Sequence, residues 1–158
     1  MFISVIGESV ASKEMLEIAE EVGRLIAKSG NTLVCGAGGG VMRAACKGAK
    51  ACGGFTIGIL PTMKKEDANE FIDFPIATGM GFARNALVVR AGEVAIAIGG
   101  RYGTLSEIGF ALNENKPVIG LQTWEVVKHW KVDQGIIVAT TPKEAVDEAL
   151  KAMKKATK

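Results

Sequence analysis

The chemistry available to this sequence is concentrated in two glycine-rich stretches and a few charged residues. The first stretch is Cys35-Gly36-Ala37-Gly38-Gly39-Gly40-Val41-Met42, and the second is Ile98-Gly99-Gly100-Arg101-Tyr102-Gly103-Thr104. Each follows a short apolar run and precedes a helical pattern, the context that makes a weak Gly-x-Gly pattern usable. Without Cβ atoms the backbone N–H groups can approach phosphate oxygens, and the positive end of a helix favours the same anion. The candidate phosphate- or nucleotide-binding residues are therefore Gly36, Gly38, Gly39, Gly40, Gly99, Gly100, Arg101, Tyr102, Gly103 and Thr104. Two such loops on one edge suit a nucleotide-sized ligand. Neither is a P-loop, since no Gly-Lys-Ser/Thr follows. The acidic residue expected for a dinucleotide ribose is missing where the third strand ends in Ile59-Leu60-Pro61, which disfavours NAD.

Glu107 has two readings. Thr104-Leu105-Ser106-Glu107 has the spacing of a capping box, in which Glu107 ties down its own helix, and spacing alone favours that reading. The other reading is a carboxylate one turn inside a helix that faces the ligand crevice, able to stabilise a cationic sugar or orient water. Arg84 stands near the start of the preceding helix, within reach of an anion in the crevice, whereas Arg90 belongs to the surface or an interface. His129, between Trp124 and Trp130, reads as structural, and no catalytic triad is present. Cys35, Cys46 and Cys52 show no Cys-x-x-Cys spacing and read as small buried apolar residues; no metal site is expected.

The elements that must position these residues alternate. Strands are predicted over 2–6, 32–35, 55–60, 71–74, 94–98, 117–121 and 135–138. Helices are predicted from Ser12 to the left-handed cap at Gly30, after Gly40, and over 82–91 and 104–113. Residues 63–70 read as a surface loop. Thr141-Pro142-Lys143-Glu144 opens the last helix with an N-cap, a first-turn proline and a capping Glu, and Lys151, Lys154, Lys155 and Lys158 close it. Strands that are apolar throughout, alternating with helices, imply a parallel sheet covered on both faces. The expected fold is a single α/β domain over residues 1–158: Rossmann-like, doubly wound, with a mainly parallel sheet.

Composition narrows the function. Among 158 residues, 19 Lys+Arg face 17 Asp+Glu for a net charge of +2, and aromatics make up 6%, so neither charge nor stacking surface recommends a nucleic-acid partner. Glycine supplies 20 residues without a Gly-X-Y period, which places it in turns and ligand loops. No apolar run is long enough for a membrane span and no signal-peptide pattern opens the chain, so a cytoplasmic protein without a membrane partner is expected. Apolar Leu87, Val88, Val89 and Ala91 on more than one helix face point to a homo-oligomer.

Gly36–Met42, Gly79-Met80-Gly81-Phe82-Ala83-Arg84-Asn85 and Gly100–Glu107, in this order, resemble the LOG (LONELY GUY)-like family, often labelled "possible lysine decarboxylase" and related to molybdenum cofactor carrier proteins. The resemblance runs from Ile3 to about Leu121. It implies a Rossmann-like homodimer or dimer of dimers that binds nucleoside monophosphates. It also implies phosphoribohydrolase activity, which releases free base and ribose 5-phosphate, with Arg84 and Glu107 as catalytic residues and no cofactor. Gly99, Arg101 and Asn85 stand where the family motifs carry Pro, Gly and Lys, and these departures are closer to the carrier branch. The alternative is therefore a non-catalytic carrier of a phosphorylated, pterin-like ligand. Decarboxylation is rejected, because it needs pyridoxal phosphate on a lysine and no Lys stands at the mouth of either loop.

Overall fold

The computed structural model describes residues 1–156, so Lys158 of the basic terminus lies outside the described residues. Among the described residues nine strands occur in chain order: β1 (Phe2–Gly7), β2 (Thr32–Cys35), β3 (Thr56–Leu60), β4 (Phe74–Ala77), β5 (Val94–Ile98), β6 (Val118–Leu121), β7 (Val127–Lys128), β8 (Lys131–Val132) and β9 (Ile136–Ala139). The helices are α1 (Lys13–Lys28), α2 (Gly40–Ala51), α3 (Asn85–Ala91), α4 (Tyr102–Asn113) and α5 (Pro142–Ala156). Seven strands form one parallel sheet in the order β4-β3-β2-β1-β5-β6-β9, and β7 and β8 make a separate antiparallel hairpin.

This order creates the switch point on which the site depends. From β1 the chain winds outward through β2, β3 and β4, then returns to β5 on the other side of β1 and continues to β6 and β9. The C-terminal ends of β1 and β5 are in register, Gly7 opposite Ile98, so the loops beginning at Glu8 and Gly99 diverge from neighbouring points. In such sheets ligands bind in the crevice opened there.

The core is two layers because successive strand residues point to opposite faces. In β5, Val94, Ile96 and Ile98 pack with α1, α2 and α5, whereas Ala95 and Ala97 face α3 and α4. The small side chains on the second face let α4 lie close to the sheet, so a residue pointing inward from α4 sits near the strand ends. Cys35 and Cys46 are buried in the first layer with Sγ atoms 3.5 Å apart, as expected of small apolar residues; Cys52 is only half-buried.

Several boundaries differ from expectation. The segment over 82–91 is a 3₁₀ turn, Gly81–Arg84, followed by a shorter α3, because Gly79 and Gly81 both hold positive φ. The extended piece after the charged loop is Phe74–Ala77, not 71–74: Phe71 and Asp73 instead bond back to Thr56. The hairpin was not foreseen. His129 and Trp130 occupy its turn at φ 50 and 63, so His129 is an exposed turn residue without a core role. Nor are all strands covered on both faces, since at the edge Val138 of β9 is 73% exposed. Val88 and Val89 of α3 are consumed by the protein's own core, while Phe82, just before it, is 87% exposed.

A central-strand truncation and an edge truncation should separate sharply. Ile96→Ala empties a wholly buried position in β5 and should cost about 3–4 kcal/mol. Ile137→Ala on exposed β9 should cost less than about 1 kcal/mol. Urea denaturation of both variants measures the difference.

Candidate functional site

Arg84 ends the 3₁₀ turn before α3 and projects over the end of β2. Its guanidinium lies against Gly36, where an added Cβ would crowd Nη1. The Arg84 side chain is 12% exposed and its Nε is buried with no hydrogen-bond partner. Burial lowers its pKa, while Glu107 and Cys35 act in the opposite direction.

Glu107 points inward from the second turn of α4, its side chain 9% exposed. It is not a capping residue. α4 begins at Tyr102 with Arg101 as N-cap, two residues earlier than the sequence pattern suggested, which carries Glu107 past the first turn and beyond reach of the helix start. Its Oε1 is 3.9 Å from Arg84 Nη1, within ion-pair range but too far for a hydrogen bond. Burial pushes the Glu107 pKa up to about 8, with Arg84 pulling it down. The carboxyl therefore keeps its proton at neutral pH and can donate as well as accept.

The start of α4 completes the cleft. Arg101 is extended at φ −110 and ψ −162 and no side chain caps the helix, so the first-turn amides have no intrahelical acceptor. Asn85 ties this turn to α3: its Nδ2 donates to Ser106 Oγ at 3.0 Å, and Ser106 Oγ donates to the Gly103 carbonyl at 2.6 Å. Arg84, Arg101, Gly103, Thr104 and Glu107 line one cleft of about 220 Å³ with Glu8, Ser9, Phe82 and Asn85.

The structure thus gathers Arg84, Glu107, Arg101, Gly103 and Thr104, but treats the other predicted residues differently. Gly99 and Gly100 line an adjoining hollow, and Tyr102 is 80% exposed, turned toward Trp124 with ring centroids 5.7 Å apart. The first glycine loop packs closely on its neighbours. Gly39 and Gly40 press on the Ser9 and Glu8 backbone, Val41 N–H donates to the Glu8 carbonyl, and Asn69 Nδ2 donates to the carbonyls of Ala37 and Gly38. Arg90 is a surface residue paired with Glu114 at 2.7 Å. Glu8, Ser9, Phe82 and Asn85 were missed as lining residues. The signal for Glu8 was present: the loop after the first strand of a doubly wound sheet always borders the crevice, whether or not it holds glycines.

The Glu107 shift has a consequence for stability. An unfolded Glu ionises near 4.5, whereas the folded one holds its proton to about 8. Its stabilising contribution is therefore complete below pH 4.5 and lost as pH rises to about 8. Glu107→Gln cannot ionise. It should match the parent at low pH and exceed it by up to about 5 kcal/mol at pH 8 and above, as read by denaturant melts across the range.

Known proteins place this geometry in context. A cytokinin riboside 5'-monophosphate phosphoribohydrolase of Mycobacterium tuberculosis is 35% identical over 120 residues, covering 70% of this chain; the match spans only 64% of that protein's length. Among solved structures, the molybdenum cofactor binding protein of Rippkaea orientalis superposes with a TM-score of 0.85 at 34% identity, covering 97% of this chain and 96% of that one. The molybdenum cofactor carrier protein of Chlamydomonas reinhardtii gives a TM-score of 0.82 at 30% identity, covering 97% and 98%. These neighbours bear out the Rossmann-like reading, and among the described residues no helix is long and apolar enough to cross a membrane. The SLOG cluster4 family pattern matches residues 1–146, and the chain, LOG-like as its three motifs indicated, belongs to that family.

Proposed function

We propose that the cleft binds the phosphoryl end of a small metabolite and that the chain is a nucleoside 5′-monophosphate phosphoribohydrolase. One observation carries this reading: Glu107, nine-tenths buried beside Arg84, makes no hydrogen bond among the described residues. A buried acid held without a partner costs stability, and such costs are retained where chemistry uses them. The phosphate rests on the uncapped amides at the start of α4, with Arg101 at the rim and Arg84 below.

The bond that breaks is the N-glycosidic bond, whose electron pair leaves with the base. Glu107, protonated in the resting protein, gives its proton to the departing nitrogen and becomes a carboxylate beside the cationic sugar. Water then adds to the anomeric carbon and returns a proton to Glu107. Arg84 orients the substrate and steadies the carboxylate between the two steps. Arg101, Gly99 and Asn85 favour a second reading. They replace the Gly, Pro and Lys of the hydrolase motifs, and in a carrier of a phosphorylated pterin-like cargo the same cleft holds its ligand without turnover.

Incubation with a panel of nucleoside monophosphates, followed by chromatography for free base, decides between them. Base release should fall as pH rises through about 8, and Glu107→Gln should reduce it at least about 100-fold. Co-purification of a pterin with no release from any monophosphate establishes the carrier reading instead. The rim also bears on assembly: Met80, Phe82 and Tyr102 expose apolar surface around the cleft, which symmetric pairing of two chains would cover. Solution scattering should give the mass of at least two chains, and Phe82→Asp should shift it toward one; a single-chain mass for the parent refutes pairing.

A further inference from the structure

A second hollow of about 450 Å³ opens at the ends of β1, β5 and β6, within the size range of small-molecule sites. Glu8 lines both this hollow and the Arg84–Glu107 cleft, so the two adjoin at that residue as halves of one surface. The halves are chemically opposite. The first holds two arginines and the helix amides. The second has no Lys or Arg in its lining and offers the carboxylates of Glu8 and Glu125 and the amide of Gln122, none hydrogen-bonded within the described chain. Such a wall repels phosphate and accepts hydrogen bonds.

Two features make this half a built surface. Trp124 is fixed on one side, its Nε1 donating to the Arg101 carbonyl at 3.3 Å and its ring packed against Tyr102. Gly99 keeps the passage open from the other side. It sits at φ +54, and a Cβ there would lie 3.0 Å from Glu8 Oε1 and 3.3 Å from Met15 Cε. A proline, as in the related motif, cannot adopt that φ.

We propose that the acceptor-rich half is a heterocycle subsite that reads the donor edge of a 2-amino-4-oxopyrimidine ring, the edge shared by guanine and pterins. The assignment rests on the phosphoryl group occupying the Arg84 half, as proposed above. The ring N–H and neighbouring exocyclic NH₂ are two adjacent donors, which one carboxylate accepts side by side. Adenine presents an acceptor at the first of these positions and has no amine at the second. Glu125 lines the outer half and not the Arg84 cleft, and takes the ring edge; Glu8, where the two adjoin, takes hydroxyl groups between ring and phosphate. Trp124 supplies an apolar face for the ring.

Tryptophan-fluorescence titrations of the full chain with GMP, IMP, AMP, neopterin monophosphate and inorganic phosphate test the assignment. GMP and neopterin monophosphate should bind at least tenfold tighter than AMP, with IMP between, and the tighter of the first two identifies the source of the ring. Glu125→Gln, at an exposed position, should bring GMP to within about twofold of IMP. Glu8→Gln should weaken both favoured ligands relative to inorganic phosphate. AMP binding as tightly as GMP, or a preference that survives Glu125→Gln, overturns the ring assignment while leaving phosphate binding intact. Phosphate and nucleotide binding undiminished by Arg84→Ala refutes the phosphoryl reading itself, and the ring assignment with it.

Discussion

The buried approach of Arg84 to Glu107 is the constraint around which the rest of the site is arranged. Two ionisable groups stand 3.9 Å apart with about nine-tenths of each side chain buried, and neither makes a hydrogen bond to the other or to a third group among the described residues. Taking such groups out of water is expensive, and here the Coulombic attraction does not suffice to keep the acid ionised, which is why burial dominates the Glu107 pKa. Their surroundings hold them in place without neutralising them. Gly36 leaves room for the guanidinium, and the Asn85–Ser106–Gly103 relay fixes α3 against the first turn of α4.

That arrangement separates glycines that expose backbone from glycines that admit neighbours. In the 36–40 loop, missing Cβ atoms admit a guanidinium and the backbone after β1, and the amide of Val41 is already used. In the 99–104 loop Gly99 N–H donates to the Leu121 carbonyl, while the amides of the first turn of α4 have no side-chain cap. Both loops look alike as strings of residues. The difference arises because the chain leaving β1 crosses the start of α2 and leaves the start of α4 open.

The asymmetry of the sheet extends the same logic. Large β5 side chains face α1, α2 and α5, and alanines face α3 and α4, so the layer carrying Arg84 and Glu107 is drawn in tightly. Beyond β6 this layer has a short hairpin in place of a crossover helix, leaving β9 exposed and the Trp124 loop free to border the outer hollow. Gly99, Arg101 and Asn85 fall where these surfaces meet: Gly99 in the outer hollow, Arg101 at the rim of the cleft, Asn85 in the relay.

Local pattern by itself determined the alternation of strands and helices, the doubly wound parallel sheet, the two glycine loops and the caps at Gly30 and Thr141, because each follows from periodicity or from the conformational range of single residues. The motifs also pointed to Arg84 and Glu107, although their spacing alone made Glu107 a cap. Only the tertiary structure decided that Glu107 faces inward, that the first loop packs closely, that Glu8 borders two adjoining hollows and that a hairpin stands at the sheet edge. Those outcomes depend on which distant backbone crosses which helix start and on how much water is excluded between layers. Burial and crossing are properties of contacts between residues far apart in the chain, and no local stretch encodes them.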